Sequence, residues 1–115
     1  MNVGQVKDLL HLEVAAGVKG LDREIGGGYC GDLLSDVMAN APAGALWLTV
    51  QAHQNIVAVA VLREMAAIVL VNGRAPDMDT KAKAEEEGVP ILTSSLGAYE
   101  LAGRLFERGI GKASE

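Results

Sequence analysis

Val3, Val6, Leu9 and Leu10 recur at helical spacing behind Asn2, whose side chain suits a helix cap, and Leu12 to Ala16 then forms an apolar run that ends at Gly17. The pattern predicts a helix followed by a strand. Lys19 to Glu24 is polar and turn-like, and Ile25 to Gly31 is dense in glycine around Tyr29 and Cys30, so a strand there must be short and bent. Asp32 to Asn40 sets Leu33, Leu34, Val37 and Met38 on one helical face, with Asp32 favouring the positive end of the helix, and Ala41 to Gly44 closes it.

Leu46 to Gln51 alternates around Trp47 and includes the β-branched Thr49 and Val50, which predicts a strand. Ile56 to Leu62 is apolar all round; Asn55 as a cap and Arg63 to Met65 as a tail favour helix. Ala67 to Val71 is a continuous aliphatic run stopped by Asn72 and Gly73, the pattern of a strand covered on both faces. A helix starts at Asp77 or Asp79 and runs to Glu87, Gly88 stops it, and Pro90 leads into a strand at Ile91 to Thr93. Ser94 or Ser95 is then expected to cap a last helix whose core face holds Leu96, Tyr99, Leu101, Ala102, Leu105 and Phe106, with Gly109 as its stop. Helices and strands alternate from Leu46 onward, which implies an α/β fold with at least three central strands and helices on each side of the sheet; with the two short strands before Leu46 the sheet has about five.

Length narrows this to one unit: 115 residues match a single domain, here residues 1–109, with 110–115 as a Gly/Lys/Ser tail expected to fray. Area scaling gives a folded surface of about 6,000 Å², enough burial to stand without disulfides or a structural metal. Half of the residues are apolar but only Phe106, Trp47, Tyr29 and Tyr99 are aromatic, so the core is aliphatic. The net charge of −5 repels phosphate backbones, which argues against nucleic acid as a partner. No signal-peptide pattern opens the chain, Cys30 is the single cysteine, and polar residues interrupt the uncharged stretch from Val37 to Leu62; the expectation is a cytoplasmic protein without a membrane anchor.

Catalytic and cofactor motifs are thin. Gly26, Gly28 and Gly31 satisfy G-x-G-x-x-G, yet no hydrophobic strand precedes them and no acidic residue lies at the ribose-binding distance, so a glycine turn or close packing is the simpler reading. Around Lys112 the P-loop pattern fails, with Phe106 and Ala113 at required positions. His11 and Glu13 form H-x-E without the cysteines of a zinc deaminase, and no histidine pair has metal-ligand spacing. No cofactor is implied. Cys30 lacks an activating neighbour and reads as a small core residue. Asp32 with Asp36, and Asp77 with Asp79, could hold Mg²⁺, but capping and dipole roles explain both pairs.

What remains is a polar set at the carboxyl ends of the strands, where open α/β sheets bind ligands. Gln51, His53 and Asn55 follow one strand, Asn72, Gly73 and Arg74 the next, and Thr93, Ser94 and Ser95 the last. A helix start near Asn55 or Ser95 would offer amides to an anion, with Arg74 as its charge partner; the same residues also serve as caps and turns.

Asp22-Arg23-Glu24-Ile25-Gly26-Gly27-Gly28, followed by Tyr29 and by Asp32 to Met38, resembles the segment that names the DRTGG domain family. Trp47 to Gln51 with His53 and Asn55, the Ala67 to Gly73 strand, and Gly88 to Leu92 with its hydroxyl cluster extend the likeness over nearly the whole chain. Gly26 stands where the family usually has threonine. The resemblance implies a three-layer α/β/α fold with a mixed, mostly parallel sheet, similar to the N-terminal domain of HPr kinase/phosphorylase and the first domain of MurF-type ligases. It also implies a non-catalytic regulatory setting, since such domains occur beside phosphotransacetylases, within regulated pyrophosphatases and near iron-only hydrogenases.

The expected function is a ligand-sensing and dimerisation module that binds a nucleotide or small anionic metabolite near Gly26, Gly27, Gly28, Gln51, His53, Asn55, Asn72, Arg74, Thr93, Ser94 and Ser95. Mean hydropathy of +0.22 in so small a chain, with the all-apolar Ile56 to Leu62 element, motivates a homodimer. The alternatives are a scaffold that docks a partner kinase or hydrogenase-associated protein, and a small enzyme using His53 with a neighbouring carboxylate as acid/base pair.

Overall fold

The first helix, α1 (Val3–Leu9), starts where the sequence places it. Asn2 Oδ1 accepts the Gln5 N–H at 2.9 Å and Gln5 Oε1 accepts the Asn2 N–H at 2.8 Å, a reciprocal capping box. The computed structural model describes residues 1–110, so residues 111–115 of the expected tail lie outside the described residues; Ile110 packs against the core. Strand β1 (Glu13–Ala16) and a single 3-10 turn at Val18–Gly20 lead to β2 (Gly27–Cys30) and α2 (Leu34–Asn40). Then follow β3 (Ala45–Thr49), α3 (Asn55–Leu62), β4 (Ala67–Leu70), α4 (Met78–Glu87), β5 (Ile91–Thr93) and α5 (Ala98–Glu107).

The five strands form one sheet in the order β1-β5-β4-β3-β2. Strands β2 to β5 run parallel and pair with their neighbours in the chain, while β1 joins the far edge antiparallel to β5. Alternation along the strands sorts the core into two layers. Trp47, Ile68, Leu70 and Ile91 pack with Val37 of α2, Ile56 and Val57 of α3 and Ala84 of α4. Leu46, Leu48, Val69 and Leu92 pack on the other face with Val3 and Val6 of α1 and Leu101 and Leu105 of α5. Because both faces of β3 and β4 are covered, every residue in them is buried, which is why the Ala67 run shows no alternation in its sequence. The fold is therefore the expected three-layer α/β/α arrangement around a mixed, mostly parallel sheet.

Several local expectations shift. Helix α2 begins at Leu34 behind an exposed Leu33, because Asp32 is used elsewhere; Asn55 is the first residue of α3 and Gln54 its cap. None of the helix starts at Leu34, Asn55, Met78 or Ala98 has a side-chain cap, so the capping roles given to Asp32, Asn55, Asp77, Ser94 and Ser95 are not seen. Helix α5 starts only at Ala98, since the chain after β5 first bonds sideways to the turn after β4. Its inward stripe is then Ala98, Leu101, Ala102 and Leu105, which leaves Tyr99 96% exposed and Phe106 about half exposed. Cys30 is exposed rather than in the core, because β2 is an edge strand that α5 covers incompletely. Partial burial, followed by the Asp32 carboxylate, pushes its thiol pKa up, the opposite of an activated nucleophile.

Candidate functional site

Where β2 to β5 end, their following loops are tied to one another. Asp32 Oδ1 accepts the buried Thr49 hydroxyl and the Val50 N–H, each at 2.9 Å, and Gln51 Nε2 donates to the Asp32 carbonyl at 2.9 Å. The loop after β3 is held in turn by α4: the buried Thr80 hydroxyl donates to the Ala52 carbonyl at 2.7 Å and the Asp77 N–H donates to it at 3.1 Å.

Asn72 and Gly73 both have positive φ, +61° and +69°, and the Arg74 N–H donates to the Val71 carbonyl at 3.2 Å. These are the marks of a type I′ turn, the conformation that Asn-Gly pairs favour. The turn leans on the segment after β5: the Asn72 N–H donates to the Leu96 carbonyl at 2.8 Å and the Gly73 N–H to the Ser94 carbonyl at 2.9 Å. Ser94 Oγ accepts the Leu96 N–H at 3.1 Å. Arg74 is thus presented from a backbone fixed on both sides.

Beside this turn opens a cavity of about 490 Å³. Arg74, Thr93, Ser94 and Ser95 line it, as do His11 and Glu13 from the start of β1 and Arg104 from α5. Among the described residues, the Arg74 guanidinium has neither an ion pair nor a hydrogen bond, whereas Arg104 pairs with Glu100 at 2.6 Å. His11 and Glu13 belong here because β1 is antiparallel, which sets its amino end beside the carboxyl end of β5, with Glu13 opposite Thr93. Strand direction leaves no mark in the sequence, so the H-x-E pair could not be connected to Arg74 from spacing alone.

The remaining sequence-derived site residues fall elsewhere. Gln51, His53 and Asn55 occupy the neighbouring part of the same sheet edge but not the cavity wall, and Asn72 forms the turn behind Arg74. His53 is exposed, and among the described residues no hydrogen bond links its ring to a carboxylate. Gly26 to Gly28 lie apart: Gly27 and Gly28 pair with Ala45 and Leu46 at the opposite, amino end of β3, and the Gly26 N–H is spent on the Gly44 carbonyl at 2.8 Å. Gly27 and Gly28 open an edge strand and Gly26 leads into it, so the run is not a loop before a helix and cannot cradle a pyrophosphate at a helix start. Neither Gly26 nor Gly27 has positive φ, and a side chain at Gly27 would meet nothing within 4 Å; nothing in the structure explains that glycine.

Other hollows open among the described residues. A cavity of about 380 Å³ at the amino edge is lined by Arg23, Glu24, Glu64 and Glu87, with Arg23 donating to the Met65 carbonyl at 3.3 Å. A groove of about 150 Å³ runs between β2 and α5, lined by Tyr29, Cys30, Leu105 and Phe106. Across the sheet edge the Tyr29 hydroxyl donates to Asp36 Oδ2 at 2.5 Å. That bond, with smaller contributions from desolvation and the charge of Asp36, raises the tyrosine pKa above its usual 10.0. The raised value means that this contact stabilises the fold below pH 10 and loses its effect as pH climbs through the folded-state value. An absorbance titration should show a phenol ionising above 10.0 in the native chain and shifting down in Asp36→Ala; an unshifted phenol would remove the bond. No group of three or more His, Cys, Asp or Glu among the described residues is placed to hold a metal. Likewise, no helix among them is long and apolar enough to cross a membrane.

No family model and no curated protein matches the chain. Solved structures do match in fold. One is the crystal structure of the CBS and DRTGG domains of the regulatory region of Clostridium perfringens pyrophosphatase, complexed with its activator diadenosine tetraphosphate. The TM-score is 0.75 at 13% identity over 96% of this chain and 47% of the other, so the chain spans about half the length of that structure. The likeness supports a DRTGG-like fold.

Proposed function

We propose that the chain is a non-catalytic regulatory module that senses a small anionic metabolite or nucleotide at the carboxyl edge of its sheet and acts as a cytoplasmic homodimer, with residues 1–109 as its single domain. The observation that carries this reading is Arg74, an exposed guanidinium without a partner among the described residues, on a fixed turn that lines a 490 Å³ cavity together with three hydroxyl side chains. In a chain of net charge −5, a cation placed so and left uncompensated is suited to an anionic ligand, and the cavity size falls within the range of metabolite pockets. The neighbour's nucleotide activator and regulatory setting support the same reading by analogy of fold. Dimerisation is supported by the outer side of α3, where Val61 and Leu62 remain 43% and 70% exposed in a helix whose other side is buried.

Thermal denaturation against nucleotides and phosphorylated metabolites tests the sensor. A ligand at a hundred times its Kd adds about 2.7 kcal/mol of stability, a rise of about 10 °C in a domain of this size. Arg74→Ala should abolish the rise while leaving the unliganded midpoint unchanged. Light scattering at micromolar concentration should return twice the chain mass; a monomer removes the dimer. The second reading, a scaffold docking a partner kinase or hydrogenase-associated protein, draws on the exposed ring of Tyr99 on α5. A chain that responds to no anion, yet binds a protein partner through Tyr99, would favour it.

A further inference from the structure

Resting on the sensing reading above, we infer that the cavity beside Arg74 takes a compact phosphomonoester whose far end donates hydrogen bonds, in preference to a nucleotide. Two opposite charges face this one space without meeting. Arg74 comes from the turn after β4 and Glu13 from β1; both are exposed, and no ion pair or hydrogen bond neutralises either side chain among the described residues. Arg104 does not compensate Glu13, since its guanidinium is engaged by Glu100 at 2.6 Å. The cavity is therefore dipolar. Arg74 offers a planar fork of donors to a phosphate head. Glu13 is an acceptor-only group that repels a second anionic end and rewards hydroxyl or ammonium donors.

Between these poles the wall is hydroxylic. Thr93 lies opposite Glu13 in the β1–β5 register, and Ser94 and Ser95 follow it. Ser94 Oγ already accepts the Leu96 N–H, so its own proton remains to donate to a ligand oxygen. Among the described residues the walls carry no Phe, Tyr or Trp ring, which leaves the small His11 imidazole in place of the larger aromatic platforms worth about 1–3 kcal/mol per base in nucleotide recognition. A second or third phosphate, as in a nucleoside polyphosphate, would be driven toward Glu13. A body carrying hydroxyls, as in a sugar phosphate, or an ammonium, as in an aminoalkyl phosphate, satisfies both poles.

The test is calorimetric titration of the full chain with glucose 6-phosphate, 2-aminoethyl phosphate, AMP, ATP and inorganic phosphate. One of the first two should bind at least about tenfold more tightly than inorganic phosphate or either nucleotide, and which one wins tells hydroxyl from ammonium recognition. Arg74→Ala should weaken every phosphate compound by about tenfold or more. Glu13→Gln should erase most of the advantage over inorganic phosphate without weakening inorganic phosphate itself. AMP or ATP binding more tightly, in an Arg74-dependent way, overturns the ligand class and leaves the sensing reading standing. Equal binding of all phosphates, unaffected by Glu13→Gln, overturns the role of Glu13. No binding of any anion at millimolar concentration overturns this inference and the sensing reading together.

Discussion

Trp47→Ala should lower the stability of the fold by about 3–5 kcal/mol, the cost of emptying a large aromatic site in a packed core. Trp47 is fully buried in the middle of β3, with Tyr29 and Ile68 beside it on the flanking strands. The indole also ties two elements together, its Nε1–H donating to the Gly31 carbonyl at 2.9 Å just past the end of β2. Since a domain has about 5–15 kcal/mol in all, the variant should be partly unfolded at room temperature or melt more than about 12 °C below the parent. Trp47→Phe separates the two contributions, because it keeps much of the volume and leaves the Gly31 carbonyl without its donor. Its cost should be nearer 1–3 kcal/mol, roughly a lost hydrogen bond plus a smaller cavity. Urea denaturation followed by circular dichroism measures both, and a loss below about 1 kcal/mol for Trp47→Ala would mean that the β3 core repacks freely.

Gly17→Ala should be comparably harmful for an unrelated reason. Gly17 has φ +76°, a left-handed conformation that costs a residue with a Cβ about 1–2 kcal/mol. In addition, a Cβ there would lie 2.1 Å from the Val89 carbonyl oxygen and 2.7 Å from Pro90 Cα, both backbone atoms that cannot rotate aside. Relieving that overlap means pushing the end of β1 away from the segment entering β5, and would pull the Gly17 N–H off Glu85 Oε1, which it reaches at 2.7 Å. With overpacking at about 1–3 kcal/mol, the sum is about 2–5 kcal/mol. Gly73→Ala is the matched control: its φ is +69°, yet a Cβ would meet nothing within 4 Å, so only the conformational part remains, about 1–2 kcal/mol. Equal losses at the two positions would show that the contact with Val89 relaxes without cost.

The layering was legible because burial leaves a compositional mark. Ala67 to Leu70 reads as a doubly covered strand for the same reason that it is one, and Asn72-Gly73 announced the turn that it makes. What stayed hidden is relational. Nothing in Leu12 to Ala16 tells that the strand runs antiparallel to β5, and that direction alone brings His11 and Glu13 to Arg74. The polar residues after β3, β4 and β5 lie along one edge of the sheet, but composition cannot divide an edge into the part that opens as a cavity and the part that closes on Ala52. The glycine run misled because glycine marks turns, close approaches and weak edge strands alike; here it is an edge strand. A helix begun at Ser94 or Ser95 counts Leu96, Tyr99 and Phe106 into its core face, whereas α5 begins at Ala98 and turns Ala98, Leu101, Ala102 and Leu105 inward.

The antiparallel edge has a kinetic corollary. Strands β2 to β5 each find a partner roughly 20 residues away, whereas β1 and β5 are separated by roughly 80, the longest loop closed anywhere in the sheet. The parallel strands can therefore assemble as a cooperative unit before the amino-terminal strand zips on, and the same seam should be the first to breathe in the native state. Because Glu13 sits on that seam, detachment of β1 dismantles one wall of the cavity. A molecule gripped between Glu13 and Arg74 would accordingly act as a latch, slowing amide exchange along β1 and β5 well before it registers in the rest of the chain.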